Sequence, residues 1–256
     1  MHGKFQFHGR GGELFSIFIV NLLLTIITLG IYCPWAIVKI VKYFSQKTTL
    51  DGVSFDFEGQ GGKLFCIYLV NYLLTAITAG LYSPVATLRI NAYFTENLSY
   101  KEKKFEFDAT NACDFWCLLF VQGILTAITL GIYTPWAMIK IRKNLLERTS
   151  YEGVKFSFTA NGGTLFCLYL IQGILTCITL CIYFPWAVAK ITNYLVSNVT
   201  YGENAKFSLQ MEGGDLFSIV LLHGIILIAI TLGIYYPWFL VKYNTYQMGK
   251  MEVIET

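Results

Sequence analysis

Charged residues are scarce in this sequence of 256 residues. Asp, Glu, Lys and Arg together make up 14% of it, whereas ordinary soluble domains contain roughly 25%. Hydrophobic residues make up 55%, which leaves few polar side chains to cover a soluble surface. The net charge is only +3, and no basic run is interleaved with aromatic residues, so nothing indicates nucleic-acid binding. We therefore expect an integral membrane protein.

Recognisable catalytic and metal-binding motifs are also lacking. No paired carboxylates lie in the apolar runs, and no spacing of His, Cys, Asp or Glu suits a metal. Residues 9–12 read Gly-Arg-Gly-Gly, but they lack the Lys and Ser/Thr that a phosphate loop needs. The seven cysteines fall mostly in apolar runs, where we favour small apolar fillers over ligands or disulfides. We expect no enzymatic activity, no cofactor and no metal.

A unit of about fifty residues recurs five times, which indicates a repeat protein. Its marker is Ile/Leu-Tyr-x-Pro-Trp, with tyrosines spaced by 50, 51, 50 and 52 residues at Tyr32, Tyr82, Tyr133, Tyr183 and Tyr235. A Gly-Gly pair lies upstream in four copies. The third copy has Ala112-Cys113 there instead, and the second copy has Val85 in place of Trp. We expect one membrane domain, 1–256, with repeats at approximately 1–49, 50–99, 100–149, 150–200 and 201–256.

Each unit predicts a strand pair followed by a helix pair. The strands alternate in polarity and are joined by Asp51-Gly52 or Glu152-Gly153, as in tight hairpins. A charge-free run follows in every copy, long enough for the roughly 20 residues of a membrane span, at 14–38, 64–88, 115–139, 165–189 and 216–241. Glycine and proline interrupt each run, so we expect a short helical hairpin whose second helix starts at the proline.

The distribution of charge predicts which side of the membrane the strands occupy. No hairpin turn carries a charge, whereas all Lys and Arg lie toward the strands. An out-and-back hairpin, either fully transmembrane or re-entrant, keeps these charges on one side, as the positive-inside rule prefers. We therefore expect a multi-pass protein with its strands and both termini in the cytoplasm, and with Tyr and Trp at the far interface.

The two chain ends look like halves of one missing strand pair. Residues 251–256 align with the first strand of a unit, and the chain starts with the second strand at residues 4–7. A frayed tail is the simpler interpretation. The alternative is that the last strand pairs with the first, which removes two sheet edges and closes the five units into a pseudo-fivefold ring with a strand collar.

Two polar layers recur within the apolar runs. One polar side chain occupies the middle of each run: Asn21, Asn71, Gln122, Gln172 and His223. One cation follows each proline by five residues: Lys39, Arg89, Lys140, Lys190 and Lys242. The first layer suits interhelical hydrogen bonds or a path for water, an ion or a solute. The cations suit anionic lipid headgroups or a charged ring at a pore mouth.

The sequence of the repeat unit resembles that of a known family. Phe-x-Phe-x-Gly-x-Gly-Gly-x-Leu-Phe, followed by Leu-Leu-Thr-x-Ile-Thr-Leu-Gly-Ile-Tyr-x-Pro-Trp-Ala, is similar to the YjgN-like family of bacterial inner-membrane proteins. The resemblance runs through all five units and implies a bacterial inner-membrane location. The family has no established activity, so no functional residues follow from it.

These features favour a pore or transporter for a small solute or ion. The alternative is a structural protein that shapes the membrane or forms a scaffold through its repeats. The lipid bilayer and anionic headgroups are the expected partners, with a homo-oligomer as a further possibility. A polar layer around a wet axis would favour transport, whereas an axis filled with apolar side chains would favour the structural role.

Overall fold

The computed structural model describes residues 2–203 and 205–255, in which strands and helix pairs alternate five times. The strands that lead into the helix pairs are β1 (His2–Phe7), β3 (Val53–Phe57), β5 (Lys103–Phe107), β7 (Val154–Phe158) and β9 (Ala205–Leu209). The strands that follow the helix pairs are β2 (Thr48–Leu50), β4 (Leu98–Tyr100), β6 (Thr149–Tyr151), β8 (Val199–Tyr201) and β10 (Met251–Glu255). The predicted strand pairs are therefore present.

The helix pairs are also present, and their helices are short. The first helices are α1 (Gly11–Ile27), α3 (Gly61–Ile77), α5 (Ala112–Ile128), α7 (Gly162–Ile178) and α9 (Gly213–Ile230). The second helices are α2 (Cys33–Lys47), α4 (Ser83–Glu96), α6 (Thr134–Glu147), α8 (Phe184–Ser197) and α10 (Tyr236–Gly249). Among the described residues only α9, with 18 residues, is long and apolar enough to cross a membrane; the other first helices have 17.

The chain divides into two compact units, each with a five-stranded antiparallel sheet. The first unit comprises Met1–Phe15, Thr48–Gly52 and Ser157–Thr256, and its strands pair in the order β8-β9-β10-β1-β2. The second comprises Ser16–Lys47 and Val53–Phe156, and its strands pair in the order β3-β4-β5-β6-β7. Within each sheet the paired strands follow one another in the chain. The one exception is the pairing of β10 with β1, which are far apart in the chain.

The pairing of the last strand with the first confirms the prediction made from the two chain ends. Gly3 of β1 lies opposite Val253 of β10, and Lys4 lies opposite Glu252. On its other side β10 pairs with β9, where Val253 faces Phe207, and β1 also pairs with β2. Neither β1 nor β10 is therefore an edge strand, which protects two backbones that would otherwise offer unpaired hydrogen-bonding groups.

The turn between two paired helices is built by its threonine and glycine. Leu29 and Gly30 have φ values of 50° and 92°, a conformation that glycine adopts without strain. The hydroxyl of Thr28 donates to the carbonyl of Leu24 at 2.7 Å and accepts the Tyr32 N–H at 3.0 Å. The same two bonds recur at Thr78, Thr129, Thr179 and Thr231. These threonines satisfy backbone groups that a helix end leaves unpaired.

The fifth copy accommodates its extra residue within α9. The spacing from the mid-run polar residue to the turn threonine is one residue longer here, between His223 and Thr231, than between Gln172 and Thr179. In the structure, Val220–Ile226 forms a π-helix, whose i→i+5 bonds hold one more residue in a turn. The turn at Thr231 then has the same bonds as the other four.

Small apolar clusters join the helices to the sheet. In one of them, Phe57 at the end of β3 packs with Val38 of α2, Leu64 of α3 and Tyr93 of α4. The residues equivalent to Leu64 are fully buried in every copy: Leu14, Phe115, Leu165 and Leu216. The strand ends therefore anchor the beginnings of the first helices, while much of the remaining length of these helices stays exposed.

Candidate functional site

The most regular feature outside the sheets is a contact between successive helix pairs. Trp35, at the start of α2, lies against Gly61, the first residue of α3. A Cβ atom on Gly61 would stand 2.4 Å from the indole Cδ1, closer than any real contact. Trp186 lies against Gly213 in the same way, and Trp238 lies against Gly11. The Pro-Trp and Gly-Gly motifs are therefore two halves of one interface.

A phenylalanine completes each of these contacts. The Trp35 ring lies 5.4 Å from Phe65 of the next copy, and the tyrosine of the turn, Tyr32, stacks on Trp35 at 5.9 Å. The same ring pairs occur between Trp186 and Phe217 and between Trp238 and Phe15. Aromatic pairs at such distances add about 0.5–1.5 kcal/mol beyond their buried area. The interface therefore needs glycine at its first position, because only glycine lets the indole approach the backbone.

The second and third copies use a different solution at the same place. Val85 stands where the other copies have Trp, and Ala112 stands where they have the first glycine. Here the tryptophan comes from the following helix: the Trp116 Nε1–H donates to the carbonyl of Leu81 at 3.1 Å. Its ring stacks on Phe120. Val85 and Ala112, the two departures from the repeat pattern, therefore both lie at the junction between the second and third copies.

This contact fixes where the turn of a helix pair lies. A helix of 17 residues is roughly 25 Å long at ~1.5 Å per residue, so the turn after α3 could lie that far from the sheet. Leu81 in this turn instead bonds to Trp116, only four residues past Ala112, or roughly 6 Å along α5. The turn after α3 therefore lies close to the start of α5.

The exposed surface of the first helices and turns is strongly apolar. In α1 the exposed side chains include Val20, Leu23 and Ile27, which share one helix face. The leucines at the turns are almost fully exposed: 93% for Leu29, 93% for Leu130 and 92% for Leu232. Soluble proteins rarely show continuous apolar patches of this kind. All seven cysteines are free and exposed. They therefore lie on this apolar surface, whereas we expected from the sequence that they fill gaps in the core.

The amides of the predicted polar layer are buried in the part of the chain that the structure describes. Asn21, Asn71, Gln122 and Gln172 are only 3–4% exposed. Both side-chain polar atoms of Asn21 and Asn71, and the Oε1 atoms of Gln122 and Gln172, have no partner among the described residues. His223 differs, because its Nδ1 lies 2.8 Å from the Tyr235 hydroxyl. A buried polar group without a partner costs about 1–3 kcal/mol.

The predicted cations are exposed and are directed toward the turns. The ammonium groups of Lys39, Lys140 and Lys190 donate to the hydroxyls of Tyr32, Tyr133 and Tyr183 at 2.8, 3.0 and 3.1 Å. Side chains on a helix lean toward its N-terminus, and the second helices have their N-termini at the turns. The structure therefore brings these three lysines to the turn tyrosines, and among the described residues no hydrogen bond joins them to the amides.

Two carboxylates near the sheets have a lowered pKa. Asp56 of β3 accepts a hydrogen bond from the Gln46 side chain at 2.9 Å and another from the Phe57 N–H at 2.8 Å, and both favour the charged form. The Gln46 bond is the larger cause of the lowered pKa of Asp56. The side chain and the backbone of Thr110 lower the pKa of Asp108 in the same way. Within the described residues, no three His, Cys, Asp or Glu side chains are grouped to hold a metal ion.

Comparison with known proteins adds a family match along the chain. The family model described as "Bacterial protein of unknown function (DUF898)" matches residues 2–65, 53–113, 111–172, 144–229 and 189–256. The chain is 50% identical to the inner membrane protein YjgN of Escherichia coli over 52 residues, which is 20% of this chain and 13% of that relative. It is 53% identical to the YjgN protein of Salmonella typhimurium over 49 residues, 19% of this chain and 12% of the relative. No solved structure matches significantly. The resemblance to YjgN-like proteins is therefore confirmed.

Proposed function

Because this chain belongs to the DUF898 family of bacterial proteins of unknown function, we propose its role from its own geometry. The protein is an inner-membrane protein that embeds its first helices and turns in the cytoplasmic leaflet, and it organises or shapes that membrane. The location follows from its similarity to the YjgN inner membrane proteins. The matched stretch is only 12–13% of those relatives, so the proposed activity rests on the residues of this chain.

The apolar surface of the first helices supports insertion into lipid. Burying one leucine in hydrocarbon contributes about 1.5–3 kcal/mol, and the turn leucines Leu29, Leu130 and Leu232 are more than 90% exposed in the protein itself. No charge lies in any turn. Apart from Lys63 at the start of α3, the basic residues lie outside the first helices and turns, which favours strands and termini on the cytoplasmic side.

The contact of a turn with the next helix pair is the observation that carries the proposal. A hairpin that crossed the membrane would have its turn about a helix length away from the start of the next hairpin. Here Trp116 bonds to Leu81, and Trp35 lies against Gly61, so turns and helix starts lie at similar depths. Helices that lie in the plane of one leaflet expand that leaflet and respond to curvature, which is the basis of a shaping role. The pseudo-fivefold ring and the homo-oligomer stay predictions.

Charged turns test insertion directly. We expect Leu29→Asp, Leu130→Asp and Leu232→Asp together to reduce co-flotation with vesicles of bacterial lipids more than about tenfold, since burial of each leucine in lipid contributes about 1.5–3 kcal/mol. Val53→Asp with Val154→Asp is the matched control, because these partly exposed valines lie on the strands. Unchanged flotation of the triple variant would contradict the proposal.

A pore or transporter for a small solute or ion is the second candidate. The exposure of Lys39, Lys140 and Lys190 favours it, because such cations attract anions at a pore mouth. Its test is solute flux in liposomes for wild type and for a variant with Asn21, Asn71, Gln122 and Gln172 changed to Leu. A flux that depends on the amides would favour transport. Unchanged flux, with higher stability from the removal of unpaired polar groups, would favour the structural role.

A further inference from the structure

A groove of about 1000 Å³ lies in the second unit between the start of α3, the end of α4 and strand β5. Its charged lining residues are Lys63, Arg89, Glu96 and Lys104. Lys104 is paired with Glu58 at 2.6 Å, whereas Lys63 and Arg89 form no hydrogen bond or ion pair within the described part of the chain. The groove therefore has two cations available for an anionic ligand and one nearby acid.

Lys63 is a cation that only the second copy has at its position. The position of Lys63 carries Glu13, Asp114, Thr164 and Asp215 in the other copies. An acidic residue is the favourable choice in the first turn of a helix, because the helix dipole is positive there. Lys63 gives up this benefit, and it adds its charge to a helix end that already attracts anions. Repetition of the fold does not explain this substitution, but an anionic ligand does.

Arg89 is the one arginine in the cation layer, and it differs from three of the lysines in making no hydrogen bond to its turn tyrosine. Its guanidinium lies 5.6 Å from the ring centre of Tyr82, and the Tyr82 hydroxyl has no hydrogen-bonding partner among the described residues. In three other copies the lysine donates to this tyrosine. The planar fork of an arginine matches two oxygens of a phosphate, which a lysine cannot do. The N–H donors of Arg89 are thus available to an oxyanion in the groove, while its guanidinium stays beside the Tyr82 ring.

An apolar stripe continues from the groove along α3. Cys66 lines the groove, and Val70, Leu73 and Ile77 follow at helical spacing on the same face, all exposed. A free phosphate would use only the cationic end of this surface. A phospholipid would use both parts, with its phosphate at the cations and an acyl chain along the stripe.

We propose that this groove binds the phosphate headgroup of an anionic phospholipid. Lys63 and Arg89 hold the phosphate, and the apolar face of α3 holds an acyl chain. The inference rests on the proposed membrane function, because it places the start of α3 at the level of the headgroups. The inference goes beyond that function because it assigns a specific lipid site to one of the five copies, the second.

The test measures lipid retention by native mass spectrometry of the purified full chain in detergent, with phosphatidylglycerol and phosphatidylcholine as probes. We expect wild type to prefer phosphatidylglycerol, and Arg89→Gln and Lys63→Glu each to weaken its binding about tenfold, as for loss of a charged hydrogen bond. Lys140→Gln is the matched control from the same layer and should bind as wild type does. Unfolding temperatures without lipid check that each variant is folded.

The remaining outcomes separate the possible ligands. Equal retention of phosphatidylglycerol by wild type, Arg89→Gln and Lys63→Glu would overturn the proposal. Binding of inorganic phosphate as tight as that of phosphatidylglycerol would also overturn it, because the acyl chain would then contribute nothing. Vesicle flotation tests the membrane function separately: variants that float normally but lose the lipid preference support the site, and a wild type that fails to float refutes the membrane function instead.

Discussion

The indole of Trp238, near the end of the chain, lies against Gly11, near its beginning, so closely that a Cβ atom there would stand 2.1 Å away. Trp238 also packs on Phe15 at 5.1 Å. These contacts are the same as those that join the first copy to the second. The last helix pair therefore meets the first through the interface that internal neighbours use, and β10 pairs with β1 beside it.

The first prediction concerns the two glycines of one pair. Gly61→Ala should destabilise the protein by about 1–3 kcal/mol, as overpacking does, because its Cβ would overlap the Trp35 indole. Gly62→Ala is the matched control: nothing lies within 4 Å of a Cβ at Gly62, and alanine is the better helix former. Denaturant unfolding measures both. Equal effects would contradict the contact.

The same interface predicts a rescue. The natural junction of the second and third copies combines Val85 with Ala112. Trp35→Val should therefore recover much of the stability lost in Gly61→Ala, although each change alone destabilises. Contacting residues show coupling of 0.5–3 kcal/mol in such double-mutant cycles. A cycle with no coupling would mean that the two residues act independently.

The turn threonine gives a second prediction. Thr28→Val leaves the Tyr32 N–H without its acceptor and should cost about 1–3 kcal/mol. Thr25→Val is the comparison, because the Thr25 hydroxyl only donates to the carbonyl of Asn21, and its loss leaves no backbone N–H unpaired. Thermal unfolding in detergent should rank Thr28→Val well below Thr25→Val. The reverse order would contradict the role given to the turn.

The π-helical segment predicts an asymmetric response to deletion. Removing Ile225 shortens α9 from 18 residues to the 17 of α7, and the π turn at Val220–Ile226 should become ordinary α-helix with little loss of stability. Removing Ile174 from α7, which has no spare residue, should rotate the following turn by about 100° and strongly destabilise the protein. Expression level and unfolding temperature measure both. Similar losses would mean that the π turn does not absorb the extra residue.

Acidic pH should weaken the bond between Gln46 and Asp56. The pKa of Asp56 is lowered in the folded state, mainly by Gln46. This contribution is therefore present above the ordinary Asp value of 3.8 and is lost as the pH falls through the folded pKa. The stability difference between wild type and Gln46→Leu should shrink from pH 6 to about pH 3. A difference that does not change with pH would rule out the linkage.

Much of the local structure could be predicted from the sequence, because it follows from short-range patterns. Alternating polarity and Asp-Gly turns predicted the strand pairs, and the Gly-x-Tyr-x-Pro pattern predicted the break between helices. The single strand at each end of the chain, which has no hairpin partner within its own repeat, predicted that β10 pairs with β1. Each of these patterns lies within one repeat or appears when two repeats are aligned with each other.

The contacts between units could not be predicted in this way. Trp35 and Gly61 belong to different copies, and no periodicity shows that they touch. The joint departure of Val85 and Ala112 was the available signal, since both fall at one junction. The cations were expected on the strand side, but Lys39 reaches back to Tyr32 because side chains lean toward the helix start. The sequence did not single out Lys63, because its place in the lining of the groove is known only from the structure.

The depth of the turns is the measurement that tests the central claim most directly. A variant without its seven native cysteines carries Leu130→Cys at a turn, or Val154→Cys on a strand, and a membrane-impermeant maleimide is added to spheroplasts or to inside-out vesicles. If the turns end within the cytoplasmic leaflet, Leu130→Cys stays unlabelled in spheroplasts and reacts only after denaturation, while Val154→Cys reacts in inside-out vesicles. Labelling of Leu130→Cys in spheroplasts would show hairpins that cross the membrane and would contradict the proposal.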